Sequence, residues 1–443
     1  MWFFLSNLVS SISVIYPKKP YPMQHLKRGI LLLFFLVLIS SGLRAAHILI
    51  PMDDSQNNHL KAYGIAYYVL TYDVEVSWLL NYRGGSFMFQ HHSKFEDELN
   101  IRGVSYQVIA DVQANAIINE IAHPDVNQEE IVLHKVPKIA VYTPPHSLPW
   151  DDAVTLALTY AEIPYDEVYD EEVLSGALPL YDWLHVHHED FTGQYGKFWA
   201  AYRNTSWYQR DVELAEELSR KLGFDYVPDL KLTVAQNIQQ FVAGGGYMFA
   251  MCSAPESMDI ALAAAGVDIV HEVFDGRPMD PNAQEKLDYS NTFAFHNFQI
   301  VTNPYEYAKS DIDVPKTGRN QSTDFFSLFE FSAKWDPVPT MLTQNHESLI
   351  KGFMGQTTAF KRHLVKPTVT ILGENKSKNE VRYIHGSLGN GTFTFFGGHD
   401  PEDYRHFVGD PPTDLNLFPN SPGYRLILNN VLFPAARKEK QKT

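Results

Sequence analysis

A single cysteine, Cys252, among 443 residues excludes an intramolecular disulfide. That thiol is either buried and inert or kept as a reactive group. Basic residues are the scarcer charge, 36 against 52 acidic, and the formal net charge of −16 is interrupted by no basic stripe. A nucleic-acid phosphate footprint is therefore not expected. Only the tail, with Arg437, Lys438, Lys440 and Lys442, is basic, which reads as a solvated end. Apolar runs are short as well: Ile30 to Ser41 falls below the about 20 residues of a membrane-spanning helix. Internal repeats and long low-complexity segments are missing. What remains is a globular composition, 45% hydrophobic and 20% charged, in a chain long enough for two or three domains.

The same short apolar run has flanks that give it a meaning. Lys27 and Arg28 precede it, and the small residues Ala45 and Ala46 follow. This order of charge, apolar stretch and small residues is that of a secretory signal peptide over 23–45, with an uncleaved anchor as the alternative. Residues 1–22 then read as an extension before a start at Met23. The expectation is an exported protein of the periplasm or cell envelope with no stable membrane span after cleavage.

Residues 46–136 read as a small α/β domain. His47 to Asp53 has a strand pattern, Asn57 to Leu70 a helical one, VEVSWLLNYRGGSFMF turns at Gly84 and Gly85 between two strands, and Val112 to Ile121 closes the unit with a helix. The polar stretch HPDVNQEE serves as a linker. A second series over 137–436 opens with the strand KIAVYTP and a helix over 151–161 capped by Asp151 or Asp152. YDEVYD and YDWLHVHHED follow as strands, then helical patterns over 209–222 and 233–243, then the strand YMFAMC. Strands alternating with helices predict a mostly parallel sheet with ligands at the C-terminal strand ends. An insertion at about 268–366, rich in aromatics and holding His296, Trp335 and His346, reads as the core of a subdomain or as a lid.

Two segments carry chemistry. In GGGYMFAMCSAPESMDIALAAAG an apolar strand runs into Cys252, then Ser253, Ala254 and the helix signal Pro255-Glu256. A nucleophile at a strained strand-to-helix turn needs small neighbours, which Ala250 and Ala254 supply, and the helix N-terminus favours thiolate. A buried core cysteine is the plain alternative. In EVRYIHGSLGNGTFTFFGGHDPED two alternating strands turn at Gly389-Asn390-Gly391 and lead to His399. A thiol nucleophile needs a base and a group that orients the base, roles open to His399 with Glu402 or Asp400. Arg405 and His406 lie near enough in sequence to shape the same pocket.

A strand–Cys–helix elbow followed by a hairpin ending in H-D-P-E resembles the class I glutamine amidotransferase superfamily, whose elbow reads G-x-C-x-G and whose last strand ends in H-P-E. The A-M-C-S-A-P elbow is similar to the intracellular-protease branch, and the whole chain resembles exported bacterial proteins labelled asparagine synthetase B. The likeness covers 137–434 and implies a flavodoxin-like α/β fold, with Cys252 as nucleophile, His399 as base and Glu402 as orienting acid. It also implies a small-molecule or peptide amide as substrate and no cofactor. The chain departs from that pattern at three places. Alanines replace both elbow glycines, Asp400 is inserted between His399 and Pro401, and HHEDFTG stands where a Gly-Gly oxyanion loop is expected, leaving Gly193 alone. No S-G-G-x-D-S loop holds pyrophosphate, so ATP-driven amidation has no visible machinery.

His185, His187, His188, Glu189 and Asp190 fall on or after one strand, and alternation puts His185 and His187 on one face. They suggest pocket-lining roles for His188 or Glu189, or, together with His399 or Asp400, a divalent-metal site, with a metal hydrolase built on His187, His188 and Glu189 as its catalytic form. No H-E-x-x-H spacing supports the metal. A non-catalytic envelope binding protein on the same fold is the remaining alternative.

Overall fold

The computed structural model describes residues 46–145, 152–407 and 409–436. The expected signal peptide, the 1–22 extension and the 437–443 tail lie outside the described residues.

Two sheets organise the chain. The first has the order β4-β1-β3-β2-β5, from β1 (Ala46–Ile50), β2 (Val76–Leu80), β3 (Ser86–Gln90), β4 (Gln107–Ala110) and β5 (Glu129–Leu133). Every pairing in it is antiparallel. The β2–β3 turn depends on Gly84 at φ +76°, where a Cβ would fall 2.3 Å from the Met52 carbonyl oxygen. Three helices accompany this sheet: α1 (His59–Leu70), capped by Asn58, α2 (Ser93–Arg102) and α3 (Asp111–Ile121).

The second sheet runs β11-β10-β13-β14-β15-β9-β8-β6-β7, with β12 paired to β14. Its strands are β6 (Ile139–Tyr142), β7 (Asp166–Val168), β8 (Trp183–Val186), β9 (Tyr247–Met251), β10 (Phe325–Leu328), β11 (Leu349–Lys351), β12 (Phe360–Lys361), β13 (Thr370–Asn375), β14 (Glu380–Leu388) and β15 (Gly391–Phe396). Parallel pairing joins β7, β6, β8, β9 and β15. All the rest is antiparallel.

The expected mostly parallel, flavodoxin-like sheet is thus corrected: one sheet is wholly antiparallel and the other is mixed. The reason is local. Strand–helix alternation governs only β6 to β9, whereas the β14–β15 hairpin reverses the chain and the 268–366 segment adds β10 and β11 at the sheet edge and β12 beside β14.

Alternation along the strands sorts side chains between layers. Ile48, Ile50, Val141, Phe249 and Phe396 face a core shared by both sheets and filled by α1, α4 (Ala153–Ala161) and α8 (Pro422–Leu432). Ala140, Tyr142, Met248, Ala250 and Phe395 face the opposite side, under α6 (Val227–Gly244) and α7 (Ala254–Ala263). Leu49, Leu79 and Met88 meet α3 on the outer face of the first sheet. The buried Arg425 of α8 ties the layers by donating to Tyr63 Oη at 3.1 Å, to the Met52 carbonyl at 3.0 Å and to the Gly84 carbonyl.

The insertion is pinned to α7. Asp259, fully buried, accepts the backbone N–H groups of Phe293, Ala294 and Phe295 at 2.7, 2.8 and 2.9 Å. Burial pushes its carboxyl up to about 6 despite those donors. Phe293, Phe295 and Phe298 are core residues, while Trp335 is 78% exposed. Among the described residues no helix is long and apolar enough to cross a membrane.

Candidate active site

Cys252 stands where β9 ends and α7 begins, at φ +53°. A non-glycine residue in that region carries backbone strain of about 1–3 kcal/mol and persists only where its surroundings hold it. Here they do. The Cys252 N–H donates to the Gly398 carbonyl at 3.1 Å, and the Ala254 N–H to the His187 carbonyl at 2.9 Å, so the turn is clamped by the chain leaving β15 and the chain leaving β8. Ala250 and Ala254 are fully buried beside it.

The sulfur, on a residue only 2% exposed, borders a cavity of about 740 Å³. The Gln356 N–H donates to Sγ at 3.3 Å, and the Thr357 N–H also reaches it. Sequence reading missed this segment, because nothing in FMGQTTA signals proximity to a thiol more than 100 residues earlier. Its placement has two causes. Glu256, in the first turn of α7, accepts Thr357 Oγ1 at 2.5 Å and Ser310 Oγ at 2.6 Å. Gly355 then packs so closely that a Cβ would lie 2.8 Å from the Gly398 carbonyl carbon and the His399 nitrogen. Burial pushes the thiol above its ordinary value, against the two N–H groups and the charges of Lys316 and Lys309. At neutral pH the resting group is a thiol.

His399 lines the same cavity and is 6% exposed. Neither ring nitrogen has a hydrogen-bond partner, so no bond joins it to Cys252 or to an acid. The structure does not bring Glu402 or Asp400 to that ring. Glu402 bonds Ser421. Asp400, fully buried, accepts the Glu402 N–H at 2.8 Å, the Asp403 N–H at 3.2 Å, Thr413 Oγ1 at 2.8 Å and Tyr424 Oη at 2.7 Å. Asp400 caps the turn after the strand.

Other histidines surround His399 instead. His406 stacks on it with ring centroids 4.3 Å apart, and the centroids of His187 and His188 lie at 4.6 and 6.2 Å. Behind them, Asp152 does two jobs. Its Oδ1 caps α4 by accepting Val154 N–H at 2.7 Å and Thr155 N–H at 3.0 Å, and its Oδ2 lies 3.1 Å from His185 Nε2 and 3.2 Å from His187 Nδ1. Burial opposes the Asp152 carboxylate, yet the two histidines hold it well below its ordinary range. Burial first, then the neighbouring rings, pushes His399 and His188 well below theirs, so both imidazoles are neutral.

Three other sequence candidates fall away from the cavity wall. Glu189 is not in the cavity wall, and burial raises its carboxyl to about 8 against the Lys231 charge. Gly193, at φ +73°, is a turn residue against Pro228, where a Cβ would lie 2.7 Å from the Pro228 Cα. Ser253 is fully buried and its Oγ has no partner. Lys316, Arg405, Tyr307 and Tyr202 line the cavity, which has no acidic residue in its wall among the described residues. Arg405 alone of these was reachable from sequence, by its nearness to His399.

No protein-family model matches the chain, and no curated protein matches it. Among solved structures, a cytoplasmic protein from Salmonella typhimurium LT2 is 14% identical with a TM-score of 0.35, over 68% of this chain and 100% of its own. A second Salmonella typhimurium cytoplasmic protein is 11% identical with a TM-score of 0.33, over the same shares. A β-galactosidase from Bacillus circulans sp. alkalophilus is 12% identical with a TM-score of 0.24, over 60% of this chain and 29% of its own. Likenesses this distant carry no argument about the present chain.

Proposed function

We propose that the protein is an exported thiol hydrolase of the amidotransferase-like kind, attacking an amide or related carbonyl through Cys252. The observation that carries this reading is the left-handed backbone at Cys252, held at a strand-to-helix turn with its sulfur on a large cavity that His399 shares. Strain maintained at a polar, cavity-facing side chain is the mark of a positioned nucleophile. The charge, apolar and small-residue pattern over 23–45 supports export.

The chemistry follows from the neutral state of both groups. Sγ attacks the carbonyl carbon while His399 takes the thiol proton, so proton transfer accompanies attack rather than preceding it as a resting ion pair. The Gln356 and Thr357 N–H groups hold the sulfur in place for attack, while the negative charge develops on the substrate's carbonyl oxygen as the C–S bond forms. His399 returns the proton to the leaving nitrogen as the C–N bond breaks, and water then cleaves the thioester and restores the thiol. The missing Cys252–His399 bond is compatible with this order, since such bonds tighten when substrate fills the site. A wall carrying Lys316 and Arg405 and no acid suits an amide that also bears a carboxylate. No ATP, metal or nucleic acid enters this reaction.

Ammonia release from a panel of carboxylate-bearing primary amides and peptide amides tests the reading. The Cys252→Ala variant is expected to lose about 10³-fold or more of any turnover the native protein shows. Equal turnover in the two proteins would end the thiol reading.

A further inference from the structure

We infer that His187, His188 and His399 form a binding site for one divalent transition-metal ion of the zinc class, with Asp152 as the group that orients His187. The three histidines each offer a ring nitrogen, and these atoms all lie within 4.8 Å of one another. A tetrahedral ion bound at about 2.0–2.1 Å needs its nitrogens roughly 3.4 Å apart, so ring rotations of about an ångström bring all three onto one ion. They come from two parallel strands' ends, His187 and His188 after β8 and His399 after β15, which fixes their spacing from both sides.

Two further observations point to a ligand. First, His187 is 1% exposed, its Nδ1 lies 3.2 Å from Asp152 Oδ2, and its Nε2 has no partner. A carboxylate behind a ligating imidazole sets the tautomer and raises ligand basicity. Second, both nitrogens of the buried His399 are without a partner. Leaving buried polar atoms unsatisfied is costly, and an ion removes that cost at the one His399 nitrogen that ligates it. Three imidazoles leave one coordination position, and it opens on the cavity that His188 and His399 line. Three neutral nitrogen donors favour zinc, cobalt, nickel or copper over magnesium or calcium.

From sequence the strand cluster offered an ion His187, His188 and Glu189, or these histidines with His399 or Asp400; the three that converge are His187, His188 and His399, without Glu189. The site does not depend on Cys252. His399 is shared, however, so an ion that holds its lone pair deprives Cys252 of its base. Thiol chemistry through His399 belongs to the metal-free protein.

Purified full-length protein, stripped with a chelator, is titrated with zinc by calorimetry and with cobalt by absorption. We expect one ion per chain, at least 100-fold weaker binding in His187→Ala and in His399→Ala, a 10–100-fold loss in Asp152→Asn, and full binding in Cys252→Ala. The cobalt spectrum is expected to show ligand-field bands without thiolate charge transfer, and zinc is expected to slow alkylation of Cys252. Binding equal in native and His187→Ala protein, binding that needs Cys252, or no binding at all would overturn the inference. Should His187→Ala fail to fold, His188→Asn and the native cobalt spectrum decide it. Ion binding without amide turnover leaves the site standing and removes only the thiol reading; turnover without ion binding does the reverse.

Discussion

Two histidine clusters among the described residues are built differently. His59 and His346 stack with ring centroids 4.0 Å apart where α1 meets the loop before β11. His59 contacts Asn420 Oδ1 and the Met52 carbonyl, both at 3.0 Å, and His346 Nδ1 lies 3.2 Å from Arg425. Around His399 the opposite holds: ring faces are packed, but its two nitrogens are left unsatisfied beside an open cavity. Polar atoms fully paired in a core serve packing. Polar atoms held ready at a cavity serve a ligand or a proton.

Substitution is the strongest way to break that contrast. His399→Ala removes no hydrogen bond, so thermal unfolding is expected to shift by about 1 kcal/mol or less, while amide turnover falls roughly 10²–10⁴-fold. Equal losses of stability and activity would place His399 with the packing histidines. His59→Ala is expected to do the reverse, costing on the order of 3 kcal/mol in denaturant melts and leaving the Cys252 alkylation rate unchanged.

Acid sharpens the comparison on a smaller scale. Burial, then the Arg425 charge, lowers His59 from 6.5 to about 4; burial, then His59 and Arg425, lowers His346 to about 3. Below pH 6.5 the unfolded chain therefore binds protons that the folded chain refuses. Stability is full above that value and falls as the pH drops toward 4, by at most about 1.4 kcal/mol per unit for each ring. Urea melts at pH 7 and pH 5 read this loss, and His59→Ala is expected to flatten it.

The elements legible in the sequence were those encoded locally. Small residues on both sides of Cys252, the Pro255-Glu256 start of α7, the Gly389-Asn390 turn and the Asp152 cap all act within a few residues, and each forms. The shared face of His185 and His187 was equally readable, since a period of two fixes it, and both reach Asp152. Strand direction was not. An apolar run such as Phe325–Leu328 looks the same whether its partner runs parallel or antiparallel, so the mixed sheet could not be read from it. Roles that depend on a single carboxylate's reach were also lost, because whether Asp400 bonds His399 or Tyr424 turns on a helix 24 positions away.

Because Cys252 is the only thiol, any thiol label on the protein reports that residue alone. The most direct measurement is its alkylation rate from pH 6 to pH 10 by an amide-bearing electrophile, in native, His399→Ala and urea-unfolded protein. We expect native labelling to be slowed roughly 10²-fold by His399→Ala and protected by carboxylate-bearing amides. Labelling seen only after unfolding, or at one rate in native and His399→Ala protein, would contradict a Cys252 nucleophile served by His399.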